Sequence, residues 1–133
     1  MKVFLDTNVL VSAFASRGLC ADVLRHVLAD HELVLGEVVL TELRRVLRDR
    51  LRLPATAIAD IETFLRINPV VPKPRRPSDV DIRDSDDAWI LASAIDAKAD
   101  LVVTGDEDLL TLGRKSPIPL LSPRPFWSRM AGG

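Results

Sequence analysis

Four acidic residues in this chain stand where a carboxylate is more useful to chemistry than to packing. "KVFL" is a short apolar run that ends on Asp6, and "DLVVTG" is a second that ends on Asp106. Both are too short for helices and are closed by turn formers, so they read as strands. Asp87 lies in the first turn of the helical stretch "DDAWILASAIDAKA", and Leu91 and Ala94 at i+4 and i+7 lean its side chain toward the packed face. Glu42 stands one turn into the amphipathic "EVVLTELRRVLRDRL", at the edge of a stripe made by Val39, Leu43, Val46, Leu47 and Leu51. Each acid alone has a plain structural role. Asp6 can cap a helix, Asp87 can answer a helix dipole, and Glu42 can be a solvated edge charge. Four of them on four elements point elsewhere. Carboxylates gathered closely repel one another and take raised pKa values unless something neutralises them. A hard divalent cation does so, and an all-oxygen ligand set suits Mg²⁺ or Mn²⁺ better than zinc. The reaction such a centre supports is metal-assisted phosphodiester hydrolysis.

Competing chemistries find few residues. The two histidines, His26 and His31, fall near the end of a helix that carries none of the acids, and read as surface or helix-end residues. No phosphate-binding P-loop, nucleophile elbow or glycine-rich dinucleotide turn is present. A signalling receiver domain also sets Asp residues at strand ends, but it needs a phosphorylatable Asp after a middle strand, and "ELVLGE" offers none. With one cysteine, Cys20, the chain forms neither an internal disulfide nor a Cys-cluster zinc site, and a reducing compartment is expected. The net charge of −1 argues against wholesale, histone-like nucleic-acid binding but allows local basic patches. No apolar run is long enough to span a membrane and no signal-peptide layout opens the chain, so a cytoplasmic protein is expected, with no membrane partner.

The elements that must position these acids alternate in type. After "KVFL" come the helical "NVLVSAF" and "ADVLRHVLADH", separated by Gly18, and then the short apolar strand "ELVLG". The Glu42 helix follows, and Pro54 opens the next one, "PATAIADIETFLRI". "NPVVP" is a further candidate strand, and "KPRRPSDVDIRDS" is a proline-rich loop leading to the Asp87 helix. "DLVVTG", a short helix "DEDLLTLG", a last strand "IPLLS" and a closing segment "PRPFW" complete the order. Short apolar strands without polar alternation, interleaved with helices, predict a parallel sheet covered on both faces. At 133 residues, one domain over residues 1–133 is expected. In such folds ligands sit beyond the carboxyl ends of the strands, which is where Asp6 and Asp106 fall.

Taken in order, "FLDTNVLVSA", "TELRRVL", "RDSDDAWILASAIDAKADLVVTGDEDLL" and "IPLLSP" resemble the PIN domain, in particular the bacterial VapC-like toxins of toxin–antitoxin systems. "LDTN" alone is a weak signal; with a helix-borne Glu, "DD-x3-LA" and "VTGD" behind it, it is a strong one. The resemblance covers nearly the whole chain, from about Val3 to Pro123. It implies a three-layer α/β/α PIN-like fold with a central parallel sheet of four to five strands. It also implies a Mg²⁺- or Mn²⁺-dependent endoribonuclease whose acids match Asp6, Glu42, Asp87 and Asp106, with Asp6, Asp87 and Asp106 on the metal. Asn8 and Thr104 match the small polar positions that orient these acids. The expected partners are an RNA substrate, an antitoxin protein and a second copy of the chain.

The chain departs from the family pattern at "RDSDDA", where close relatives often read "RDPDDD", so Ser85 and Ala88 differ. Choosing the ligand among Asp84, Asp86 and Asp87 is then a matter of register. Asp87 is favoured because Leu91 and Ala92 follow it at the family's spacing; Asp86 is the second choice and Asp84 the expected cap. Asp108 is expected to answer a helix dipole, with a second ion as its other use. Lys73, Arg75 and Arg76 on the proline-rich loop, and Arg44, Arg45 and Arg48 beside Glu42, are candidates for phosphate contacts or for a solvated face. An RNA-processing nuclease without an antitoxin, and a catalytically silent PIN-fold binding module, remain the alternative readings.

Overall fold

The structure, a computed structural model, describes residues 1–130. Strand β1 (Lys2–Leu5) leads into helices α1 (Thr7–Ala15) and α2 (Leu19–Asp30), then β2 (Glu32–Gly36), α3 (Glu37–Asp49), α4 (Ala55–Leu65) and β3 (Val70–Val71). A long connection reaches α5 (Ser85–Asp96), followed by β4 (Leu101–Val103), α6 (Glu107–Leu110), a 3₁₀ turn, β5 (Leu120–Leu121) and α7 (Pro123–Met130). All strand pairs are parallel, in the order β3-β2-β1-β4-β5. The expected parallel sheet of four to five strands is therefore present, with five.

The connections from β1 to β2 and from β2 to β3 step one way across the sheet, whereas those from β3 to β4 and from β4 to β5 step back. Right-handed crossovers then put α1–α4 on one face and α5 and α6 on the other. Between these helices the central strands are sealed: Val3, Phe4, Leu5, Leu35 and Val103 are all completely buried. That explains why their sequences are continuously apolar rather than alternating. The direction of winding reverses between β1 and β4, the point at which open α/β sheets generally place a ligand crevice.

Two details differ from the sequence reading. Helix α3 stops at Asp49, so Leu51 lies beyond it and is 40% exposed. The buried stripe is Val39, Leu40, Leu43 and Leu47 instead, because Arg52 takes a positive φ of 54° and turns the chain away. The closing segment is a helix, α7, whose first residue, Pro123, has the φ that a helix start requires. Its Phe126 is fully buried against α2, and His26 lies edge-on to Phe126 and Trp127, each at 6.2 Å. His26 is thus a packing residue under α7, and His31 caps α2.

The face of α5 comes very close to β2. A Cβ on Gly36 would sit 1.9 Å from Ser93 Oγ and 3.1 Å from Ser93 Cβ, and Ser93 is itself fully buried. Gly36→Ala should therefore cost about 1–3 kcal/mol as an overpacked site, read by chemical denaturation. Adding Ser93→Ala removes the closer contact and a hydroxyl that has no partner, so the double variant should recover at least half of the loss. A double variant as unstable as Gly36→Ala would show that Ser93 is not what limits this approach.

Candidate active site

The acids meet at the β1/β4 edge. Register pairs Leu5 with Val103, so the next residues, Asp6 and Thr104, emerge side by side. The Asp6 backbone N–H donates to Val103 O at 3.0 Å and carries the pairing one residue further. Asp6 caps α1: Oδ1 accepts from Thr7 N at 2.7 Å and Oδ2 from the Thr104 hydroxyl at 2.7 Å. Thr104, fully buried, also accepts from Asp106 N at 3.0 Å, so one hydroxyl ties two of the acids together. Asn8 makes its hydrogen bond to Gly105 N at 3.0 Å rather than to Asp6, and so fixes the turn between Thr104 and Asp106. Asp106 caps α6, accepting from Asp108 N at 2.8 Å.

Helix α5 enters from the other side. Asp84 is its cap, accepting from Asp86 N at 2.9 Å. Of the three acids here, Asp87 is the one turned inward, at 6% exposure, whereas Asp84 and Asp86 face solvent. Among the described residues, Asp87 Oδ2 is buried with no hydrogen-bond partner. A buried carboxylate oxygen left unpaired is costlier than a hydroxyl such as that of Thr7 or Ser93, because it carries charge, and a cation would relieve it. Asp84, Asp87 and Asp108 each offer an oxygen within 4.8 Å of the other two. Glu42 completes the rim from α3, beside the Thr7 hydroxyl, which makes no hydrogen bond of full geometry.

The electrostatics follow from this crowding. Burial pushes Asp87 up to about 8, and the Asp106 carboxylate beside it adds to the rise, with Asp6 and Asp84 behind. Asp6 is pushed up to about 6, first by burial; the Thr104 and Thr7 hydrogen bonds pull it down, and Glu42 and Asp106 push it up. Glu42 is raised, mainly by burial, with Asp86 and Asp84 contributing. Oxygen-only donors, mutual repulsion and an orphaned oxygen together fit a hard divalent cation.

Residues 2–108 of the chain match the PIN domain family. The chain belongs to that family. Comparison with curated protein sequences gave no match. Among solved structures, the PIN fold here is similar to VapBC2 from Rickettsia felis bound to a promoter DNA fragment, with TM-score 0.66 and 17% identity over 92% of this chain and 98% of that one. It is similar to the sarcin–ricin loop cleaving toxin VapC20 of Mycobacterium tuberculosis, with TM-score 0.59 and 17% identity over 84% and 95%. It is also similar to the PIN domain endonuclease Utp24, with TM-score 0.53 and 23% identity over 91% and 84%. The neighbours thus include VapC-type toxins.

Asp6 senses the charge of Glu42 and Asp106, and Asp87 that of Asp106 and Asp6. Asp84, expected as the cap, and Asp108, expected to answer a dipole with a second ion as its other use, both lie beside Asp87. A cap and the residue three positions on face the same way at a helix start, so the Asp84–Asp87 spacing carried that information. The basic candidates separate. Arg44 is committed to Glu62 of α4 through two 3.0 Å hydrogen bonds, so its guanidinium holds two helices together rather than facing the acids. Arg75 and Arg76 line a different cleft, with Ala92 and Asp96 of α5. Lys73 and Arg45 line the cleft that Glu42 and Asp86 share.

Without metal, the protonated form of Asp87 is the one that suits the fold. Its unfolded pKa is ~3.9, so its contribution is fully present below that value and is lost as pH rises through about 8. In EDTA the melting temperature should fall between pH 5 and pH 9. Each pKa unit realised is about 1.4 kcal/mol, several degrees for a domain of this size. Asp87→Asn should flatten that fall and melt higher than the parent above about pH 8. Asp6→Asn should gain less, since an amide must turn its NH₂ toward one of two donors, Thr7 N or the Thr104 hydroxyl. Parallel melting curves for the parent and Asp87→Asn across this range would show that Asp87 is not under charge stress.

Proposed function

We propose that this PIN domain protein is a Mg²⁺- or Mn²⁺-dependent endoribonuclease, the toxin of a toxin–antitoxin pair. The observation that carries the reading is Asp87: an inward-facing carboxylate with an unpaired oxygen, amid acids from four elements, at the reversal point of a parallel sheet. Asp87, Asp84 and Asp108 would hold the ion, with Asp6 and Asp106 closing the site from the strand ends. When bound, the ion supplies Lewis acidity and a water of lowered pKa. The chain's own residues do the rest. The Thr104 and Thr7 hydrogen bonds hold Asp6 in one orientation, and the Asn8–Gly105 bond holds the turn that presents Asp106. Glu42, half-buried and raised above its ordinary pKa mainly by burial, stands at the edge of the cluster, where a carboxyl group could exchange a proton.

Support for RNA as substrate, and for a toxin, comes from the family and from the sarcin–ricin loop cleaving toxin of the same fold. A protein partner is supported by the VapBC2 complex. In such a pair the antitoxin would cover the acidic crevice, and a basic side chain is the natural group to enter it. The similarity to Utp24 keeps an RNA-processing role as the second reading. A silent binding module gains nothing from burying an unpaired carboxylate oxygen, and is disfavoured for that reason.

The test is cleavage of RNA with Mn²⁺ or Mg²⁺ and its loss in EDTA. Asp87→Asn, Asp108→Asn and Asp106→Asn should each lower turnover by about 10²-fold or more, the scale of losing one preorganised electrostatic group. Full activity in EDTA, or an unchanged Asp87→Asn enzyme, would remove the metal mechanism. Expression should slow host growth, and a small protein encoded next to this chain should relieve it. Robust cleavage in vitro with no growth effect in several hosts would favour RNA processing.

A further inference from the structure

Next to the acids, α3 and α5 border an open cleft of about 350 Å³ lined by Thr41, Glu42, Arg45, Lys73, Asp86 and Trp89. The volume is at the lower end of small-ligand sites. Trp89 is the unusual member. Its helical neighbours Ala88, Ile90 and Leu91 are buried, yet this large aromatic is left partly open at the rim. The chain has only two tryptophans, and the other, Trp127, packs against His26 under α7. The indole face of Trp89 is held by one light contact: Lys73 Nζ lies 4.7 Å from the ring centroid, on a side chain that is itself exposed. Such exposed cation–π contacts are weak. One turn before Trp89 is Asp86, and across the cleft is Glu42, which senses the charge of both Asp86 and Asp84. The aromatic surface and the acid cluster therefore share an edge.

We propose that this cleft is a nucleobase subsite, in which one base of a single-stranded RNA stacks on Trp89 while Lys73 and Arg45 meet the flanking phosphates. The inference rests on the ribonuclease reading and deepens it. A stacked base replaces the Lys73 ammonium over the ring, and the released ammonium is then beside the strand's own phosphate. Stacking of this kind is tolerant of sequence, since every base has a π face. It holds the strand beside the acids and sets register rather than choosing a base. Thr41 and Asp86, on the cleft walls, face the edge of that base.

Two measurements test it. In a Trp127→Phe background Trp89 is the only indole, so a short oligoribonucleotide titrated in EDTA at low ionic strength should quench its emission saturably. An abasic site scanned along the same oligonucleotide should abolish the quench at one position. With Mn²⁺, Trp89→Leu should lose about 5- to 100-fold in kcat/KM, chiefly through KM, as expected for one lost stacking contact. Trp89→Phe should keep most of the activity, and both variants should melt close to the parent in EDTA. Binding without quench, or cleavage by Trp89→Leu with an unchanged KM, would overturn the subsite and leave the ribonuclease reading standing. A chain that neither binds nor cuts RNA would overturn both. The fluorescence measurement keeps Trp89 in place, so it decides the matter even if Trp89→Leu fails to fold.

Discussion

The hydroxyl of Thr104 is the joint on which this molecule's acidic crevice depends. It donates to Asp6 Oδ2 at 2.7 Å and accepts from Asp106 N at 3.0 Å. Those two bonds lock the ends of β1 and β4 together where the sheet changes its direction of winding. Everything else about the site follows from that junction. Parallel register delivers Asp6 and Thr104 side by side, and right-handed crossovers pull α1 and α5 to opposite faces. A serine could make the same two hydrogen bonds, but threonine's branched Cβ restricts the rotamer and suits a strand end. A valine would leave a buried Asp6 oxygen and the Asp106 N–H unpaired at once.

A cluster of this kind works against the fold that carries it. Asp87 and Asp6 are both held above the ordinary carboxylate range by burial and by their neighbours. The compensation lies in the sheet beneath. Val3, Phe4, Leu5, Leu35 and Val103 are fully buried between two helical layers, and each such side chain contributes roughly 1.5–3 kcal/mol of transfer free energy. Ion pairs add little. Arg66 bridges Glu37 and Glu62, and Arg44 joins Glu62 as well, but these are largely exposed links that register α3 against α4, and such links are individually worth ~0–1 kcal/mol. The stability is apolar and the stress is polar, and the two are separated along the strand axis. That separation lets a crowded acidic edge exist on a rigid sheet.

What the sequence made legible is what depends on local period and on strand ends. "KVFL", "ELVLG" and "DLVVTG" each announced a buried parallel strand, and an acid placed after two of them announced the edge. Asp87 was favoured over Asp86 because Leu91 and Ala92 follow it at the family's spacing, and both are buried. What stayed hidden depends on pairing between distant elements. The side chain of Asn8 goes to Gly105 across the β1/β4 junction, a partner that no spacing rule supplies. Arg44 looked as available as Arg45 until α4 brought Glu62 against it. The end of α3 was misplaced because apolar Leu51 continues the stripe in sequence, while the backbone leaves the helix at Asp49. Asp84 was weighed with Asp86 and Asp87 and read as the expected cap, which it is, while it also lies beside Asp87 and Asp108.

The placement of positive charge carries the last step. Under the ribonuclease reading, a polyanion must approach a crevice that is itself anionic, on a chain whose net charge is only −1. Long-range attraction between protein and RNA is therefore slight, and near contacts must do the work. Arg44, Arg48 and Arg66 do not supply them, since each is already paired with a carboxylate. Lys73 and Arg45 are different: they share a cleft with Glu42 and Asp86. Their charge sits beside the acids rather than among them, so the strand can be held at the rim while one phosphate faces the carboxylates. The phosphate that faces the carboxylates is repelled until they are neutralised, because like charges brought together in a partly buried site repel strongly, whereas the base and phosphate contacts at the rim do not wait on that step. Neutralising the acids thus serves binding as well as chemistry, and the rim cations complete the arrangement.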